Sequence, residues 1–262
     1  MPRSDKTLIG PVIDRRLAEV ADNARFAGRF FVEVFRPPLH LREVLRLCHD
    51  VGVKTLPLVL LTGFITGIVF TKQSRPSLVS FGATSWLPSL VSIGLIRSLA
   101  PLVTALLCAG KIGSSIGAEL GSMKVTEQIE AMEVSAIDPF RYLVVTRTLA
   151  TTMMIPVLTC YFAIVGLLGS FLNVYTNEGT APAAFLDSAF SDIGWIDVGG
   201  AGLRALAFGF TIGIVSCREG FRTGRGTQGV GRAANAAVVK SMLIIFLEEV
   251  AIVQLLTALA QV

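Results

Sequence analysis

The stretch TLATTMMIPVLTCYFAIVGLLGSFL, Thr148 to Leu172, is 25 residues long and carries no charged side chain. An α-helix rises about 1.5 Å per residue and the hydrocarbon core of a bilayer is about 30 Å thick, so about 20 such residues suffice to cross it. This stretch therefore sets the class of the chain. The whole composition agrees with it. Of 262 residues, 52% are hydrophobic and only 16% charged, and the mean hydropathy is +0.67. Soluble domains carry about 25% charged residues.

Four further stretches resemble it less cleanly. Thr55–Thr71 is 17 uncharged residues. Trp86–Gly110 is apolar except for Arg97, and Val198–Cys217 except for Arg204. Val238–Ala260 is interrupted by Lys240, Glu248 and Glu249. Prolines 57, 88, 101 and 156 are tolerable in membrane helices and kink them. The expectation is an all-α integral membrane protein with five transmembrane helices. Residues 1–50 form an N-terminal cytoplasmic and interfacial segment, and residues 51–262 a five-span domain.

Lysine and arginine orient the spans. Residues 1–54 hold ten, the loop 111–147 four and the loop 218–240 five, so 19 of the 23 fall on alternate loops. The loop 72–85 holds two, and 173–197 holds none but four acids. That places the N-terminus in the cytoplasm and the C-terminus outside. It also accounts for the net charge of +4 without nucleic acid, because no aromatics interleave the basic residues. No apolar run near the N-terminus has the form of a secretory signal. Before the first span, Leu17, Ala21, Ala24, Gly28, Phe31 and Phe35 recur at helical spacing among arginines. Such a helix lies in the headgroup plane or packs on a partner protein. Pro37-Pro38 ends it.

Gly63-x3-Gly67, Gly113-x3-Gly117-x3-Gly121 and Gly209-x3-Gly213 are small-residue ridges, which let membrane helices approach closely. The four cysteines, at 48, 108, 160 and 217, are far apart, and His40 and His49 have no cluster around them, so no metal spacing exists. Gly224-x-Gly226-x-x-Gly229 matches the dinucleotide string, but that motif needs a strand before it and a βαβ unit around it. Gly110-Lys111 precedes isoleucine and is no phosphate loop. No nucleophile, base and acid set is visible, so this chain is not expected to be an enzyme.

Charges inside the spans are the chemistry-bearing candidates. A charge at mid-span costs roughly 2.5–3.5 kcal/mol on insertion scales, so Arg97 should face the interior with a partner, for which Glu248 and Glu249 are available. Such a polar spot either receives an anionic group, such as a lipid phosphate, or is a structural ion pair that sets helix register. Arg204 joins it or snorkels outward.

Between spans two and three lies ELGSMKVTEQIEAMEV, Glu119 to Val134. Val125, Ile129 and Met132 share a helical face beside Glu127, Glu130 and Glu133, and Asp138-Pro139 ends the run. An acidic helix is poorly placed against an anionic leaflet, so a cytoplasmic protein partner is the better account.

Around this segment the chain resembles a known family. Gly-Ser-Ser at 113–115, Ala-Glu-Leu-Gly at 118–121, Met-Lys-Val-Thr-Glu-Gln-Ile at 123–129 and Asp-Pro-Phe-Arg-Tyr-Leu-Val at 138–144 resemble the MlaE/YrbE-type permeases. Gly-Thr-Gln-Gly-Val-Gly at 226–231 is similar too. These permeases are the membrane subunits of MCE-associated lipid ABC transporters. The resemblance, over residues 45–260, implies a homodimer in a bacterial inner membrane, paired with a cytoplasmic ABC ATPase dimer and an MCE-domain assembly. It implies a lipid substrate, commonly a glycerophospholipid. ATP and magnesium would be bound by the partner ATPase, with no cofactor in this chain. It also implies that Glu119, Met123, Lys124, Thr126, Glu127, Gln128 and Glu130 form the ATPase-coupling segment, and that Arg97, Ser98, Arg204, Glu248 and Glu249 border the lipid cavity. Many proteobacterial members carry Arg-Glu where this chain has Arg97-Ser98, so an acid is missing there. The residues alone leave two other readings open: a non-transporting scaffold for the ATPase and MCE proteins, and an ion-coupled carrier.

Overall fold

The computed structural model describes residues 22, 24–36, 40–224 and 226–260. The expected positions at Leu17, Ala21, Pro37 and Pro38 lie outside them. The described residues form helices and no strands. They are α1 (24–33), α2 (Leu41–Ser80), α3 (Thr84–Val125), α4 (Gln128–Val134), α5 (Phe140–Glu178), α6 (Pro182–Phe190), α7 (Trp195–Phe221) and α8 (Thr227–Ala260). Four of these, α2, α3, α5 and α7, are long and apolar enough to cross a membrane. The expected fifth span lies on α8, which is 34 residues long.

Each apolar stretch sits within a longer helix. The second expected span ends at Gly110, yet α3 continues to Val125, because Ser114–Val125 turns a small-residue face (Gly117, Gly121) onto its neighbours. Three helical turns are wide π turns: Leu95–Leu99 and Ala109–Gly113 in α3, and Phe140–Val145 at the start of α5. Each contains one cation, respectively Arg97, Lys111 and Arg141. A π turn inserts one residue and re-aims the side chains around it.

The glycine ridges lie where the helices cross. A Cβ on Gly67 would strike the carbonyl group of Gly166, so α2 and α5 touch backbone to backbone there. Gly209 and Gly213 of α7 meet the main chain of α5 at Thr151, Thr152 and Thr148. Gly117 of α3 faces Ala233, Ala234 and Ala237 of α8. The centre of the bundle is α7: 56% of its most apolar stretch is buried, against 22% for α2. Phe208 and Ile212 of α7 join Leu95, Leu120, Ile155, Phe162 and Ile245 in a core with no side-chain exposure to speak of. Leu61, Ile65, Ile164, Leu168 and Leu247 instead point outward from their helices. A band of that kind suits lipid, not water.

Ion pairs between helices fix which ends meet. Glu119 late in α3 pairs with Arg147 early in α5, and Glu219 late in α7 pairs with Lys240 early in α8. Arg75 late in α2 meets Glu178 late in α5 at the opposite end. Trp86 and Trp195 are also at that opposite end, each beside the start of a long helix and largely exposed. Exposed tryptophan at helix ends marks a headgroup level.

One segment differs from expectation. The region 173–197 contains α6, which begins at Pro182 and buries Phe185 against Phe171 with ring centroids 5.3 Å apart. In α1 the buried face is Phe26, Phe30 and Glu33, whereas Phe31 and Phe35 are exposed. Phe30 packs on Phe210 of α7, Phe26 on Phe140 and Phe221, and Arg29 lies over the Phe140 ring. Phe31 of the expected stripe also meets the Phe210 ring, at 5.4 Å, while Ala24, Gly28 and Phe35 of that stripe stay exposed.

Candidate functional site

The residues singled out from sequence gather at two places. The first lies inside the bundle, toward the tryptophan end. Arg204 of α7 is 3% exposed and reaches Glu249 of α8, Nη1 to Oε1, at 3.2 Å. The same Nη1 donates to the main-chain carbonyl of Arg97. Beside this pair, the Thr211 hydroxyl donates to Glu248 at 2.5 Å. One carboxylate oxygen of Glu248 and one of Glu249 are buried with no hydrogen-bond partner among the described residues. Arg204 is therefore an interior group, not one that snorkels outward.

Arg97 is placed differently from its expectation. Its side chain is half exposed and pairs with Asp197, in the first turn of α7, at 3.5 Å. Neither Glu248 nor Glu249 is its ion partner in the structure. The wide turn Leu95–Leu99 presents Arg97 and Ser98 to the outside, so the side chain finds the acid at the mouth of the crevice. Arg97, Asp197, Gly200 and Arg204 line one narrow crevice, with Ile196 and Leu256 as its apolar walls. The crevice is tight, about 20 Å³, with one guanidinium buried within and a second at its mouth. Asp197 and Thr211 were not singled out from sequence. Asp197 had only its place at a helix start as a signal, and Thr211 none.

The second place is the elbow between α3 and α4, at the other end. Helix α3 stops where the Thr126 hydroxyl bonds back to the Ser122 carbonyl, at 2.9 Å, and Glu127 takes a left-handed conformation with φ 58°. Side-chain bonding to the carbonyl four residues back competes with the helix and bends it. Helix α4 begins at Gln128 and is pinned by Ile129, 3% exposed. It ends in a pair of hydrogen bonds typical of a left-handed terminus: the Ile137 amide donates to the Met132 carbonyl and the Ala136 amide to the Glu133 carbonyl, with Ala136 at φ 59°. Asp138 does not stop α4; its carboxylate accepts from the Phe140 amide at 2.9 Å and so opens α5.

The expected coupling residues divide at this elbow. Glu119 accepts from the buried Arg147 at 2.7 Å and is tied to α5. Met123 is partly buried against the core. Lys124 closes onto Glu130 across the bend. That hydrogen bond holds the Glu130 carboxyl below the usual glutamate range. Thr126, Glu127 and Gln128 are exposed, as are Glu133 and Val134, the latter at 89%. The elbow thus turns the acids Glu127 and Glu133 and the apolar Val134 and Ile137 outward on one bend. Gly224 and Gly226 lie between α7 and α8 and Gly229 lies within α8, with no strand before them among the described residues, so the dinucleotide motif lacks its context.

The permease MlaE family matches residues 44–255. A probable ABC transporter permease protein of Rickettsia typhi is 36% identical over 223 residues, covering 85% of this chain and 86% of that protein. The intermembrane phospholipid transport system permease protein MlaE of Haemophilus influenzae is 31% identical over 235 residues, 87% and 90% of the two chains. The chloroplastic protein TRIGALACTOSYLDIACYLGLYCEROL 1 of Arabidopsis thaliana is 31% identical over 223 residues, 85% of this chain and 64% of that one. The match takes in the crevice, the elbow and the helices that join them, and with it the chain belongs to the permease MlaE family.

Proposed function

We propose that this chain is the permease subunit of an ABC transporter that moves glycerophospholipid between an inner membrane and the outer envelope. The observation that carries the reading is the family match across residues 44–255, which takes in both the elbow and the interior ion pair. The Haemophilus influenzae relative is named a phospholipid transport permease. Five spans cross the bacterial inner membrane, with the N-terminus and the elbow in the cytoplasm and the C-terminus outside. The exposed stripe of α1 lies in the headgroup plane. Two copies enclose the lipid path, and an MCE-domain assembly receives or delivers lipid on the outer face.

The chemistry is non-covalent. A partner ABC ATPase dimer binds ATP and magnesium and grips the outward face of Thr126, Glu127 and Gln128. Closure of the ATPases pushes on α4. The rigid bend at Glu127 passes that push to α3, whose far end carries Arg97. Arg97 and Arg204 hold the lipid phosphate, and Asp197 and Glu249 keep both guanidiniums in place when no lipid is bound. The test is reconstitution with the ATPase and MCE proteins, then lipid transfer in Glu127→Ala and Gln128→Ala. ATP hydrolysis that no longer drives transfer supports the reading. Unchanged transfer and unchanged ATPase activity would remove the coupling role. Transfer that never requires this chain would leave it a scaffold.

A further inference from the structure

We propose that the cavity between the elbow-end parts of α2, α3 and α5 binds a phosphate group, the chemistry carried by a membrane lipid headgroup or by free phosphate. The cavity measures about 150 Å³ and lies apart from the Arg97 and Arg204 crevice. Lys54 and Asp50 line it from α2, Lys111, Ser115 and Glu119 from α3, and Arg147 from α5. That is three cations against two carboxylates. Asp50 pairs with Lys54 at 3.2 Å and Glu119 with Arg147 at 2.7 Å. Lys111 has no carboxylate partner among the described residues; its ammonium donates to the main-chain carbonyl of Lys54. The surplus charge is therefore on Lys111.

Arg147 supplies the second, independent observation. It is 7% exposed, and its Nε is buried with no hydrogen-bond partner among the described residues. Its two other nitrogens are taken, by the Leu143 carbonyl and by Glu119. A buried donor on a charged group left without an acceptor is costly, and this guanidinium stands in the wall of the same cavity. The Ser115 hydroxyl lines the same space as a further donor.

Position agrees with this chemistry. Lys54 directly precedes the uncharged run Thr55–Thr71, Lys111 directly follows Trp86–Gly110, and Arg147 directly precedes Thr148–Leu172. All three thus stand at one boundary of the apolar layer, where lipid phosphates lie. Orientation rules put lysine and arginine at such a boundary facing water. Here three helices turn them into one cavity, and the wide turn Ala109–Gly113 sets the aim of Lys111. The cavity is too small for a nucleotide or an acyl chain, since drug-sized ligands take about 300 Å³ or more. It admits a phosphate group.

The test uses the full chain purified in mild detergent and native mass spectrometry of bound lipid. The probes are phosphatidylglycerol, diacylglycerol with the same acyl chains, and inorganic phosphate. Wild type should hold phosphatidylglycerol at least fivefold more tightly than diacylglycerol. Lys111→Ala should hold fewer phosphatidylglycerol molecules per chain than wild type, the Arg97 and Arg204 crevice keeping its own, whereas Arg232→Ala, an exposed cation at the same end, should match wild type. Ser115→Ala should weaken binding about twofold and serves as the deciding variant if Lys111→Ala does not fold. Displacement of the lipid by millimolar inorganic phosphate would make free phosphate a second source of the same ligand; resistance to it would leave the headgroup as the source. Either result keeps the site. Equal binding of the two lipids by wild type would overturn it, as would equal loss in Lys111→Ala and Arg232→Ala. The transport reading is separated by Arg97→Ala, which should leave the Lys111-dependent share of binding in place.

Discussion

Arg204 donates from its guanidinium to the main-chain carbonyl of Arg97, the carbonyl for which Pro101 has no N–H to offer. A proline inside a helix leaves the carbonyl four residues earlier without its donor. In a membrane that acceptor must be met from elsewhere. Here the donor comes from a neighbouring helix, and the same nitrogen also binds Glu249. One arginine thereby joins α3, α7 and α8.

Removing that arginine leaves both acceptors unmet. Breaking one side of a buried ion pair costs about 3–5 kcal/mol. Arg204→Met should destabilise the detergent-solubilised chain by that order in a denaturant titration. Arg204→Met combined with Glu249→Gln should recover part of the loss, because no bare carboxylate remains. Full stability in the single variant would show that the pair does not hold the bundle together.

The contact of Gly67 with Gly166 yields a steric prediction. A methyl group at residue 67 meets main-chain atoms, which cannot rotate away. Gly67→Ala should therefore force α2 and α5 apart and lower the yield of monodisperse protein sharply. Gly199, in α7, has nothing within 4 Å of an added Cβ. Gly199→Ala should be neutral or stabilising by up to about 1 kcal/mol, the difference in helix propensity. Size-exclusion profiles and melting curves of the two variants check both halves.

These two sites also show what the sequence made legible. The Gly-x3-Gly ridges, the uncharged runs and the elbow's acids are local patterns, and each maps to a helix, a crossing or a bend. The partners of the intramembrane charges were not legible. Arg97 was matched to Glu248 and Glu249 because both lay in mid-span, but pairing depends on helix rotation and on π turns, which have no sequence period of their own. The Leu95–Leu99 turn swings Arg97 toward Asp197 and leaves Glu249 to Arg204. The buried side of α1 is not legible either, because it is set by contact of Phe26 and Phe30 with Phe140, Phe210 and Phe221.

Acidity should act on the elbow through Lys124 and Glu130. The hydrogen bond from Lys124 lowers the Glu130 carboxyl in the folded chain relative to the unfolded one. A lowered carboxyl contributes stability that is present above its unfolded value and is lost as pH falls through its folded value. The clasp should thus be intact at neutral pH and persist somewhat below the ordinary glutamate range before opening. Hydrogen exchange of amides 128–134, corrected for intrinsic rate, should rise only below that range in wild type. In Glu130→Gln it should already be raised at pH 7. Identical profiles for the two would mean that the clasp does not order α4.

The last prediction separates the shape of the elbow from its charge. Glu127 is one of two non-glycine residues with positive φ among those described. A left-handed conformation costs an ordinary residue about 1–2 kcal/mol, and glycine almost nothing. Glu127→Gly should keep the bend and add up to about 1 kcal/mol, less whatever glycine loses through its freer unfolded chain. Glu127→Val should straighten or loosen it, since a β-branched side chain tolerates this φ poorly. Glu127→Gln keeps the size and removes only the charge. If the partner ATPase reads the bend, transfer should survive in the Gly and Gln variants and fail in the Val variant. If it reads the acid, transfer should fail in all three. A co-purification of each variant with the ATPase, followed by lipid transfer, distinguishes the two, and transfer retained in all three would remove Glu127 from the coupling face.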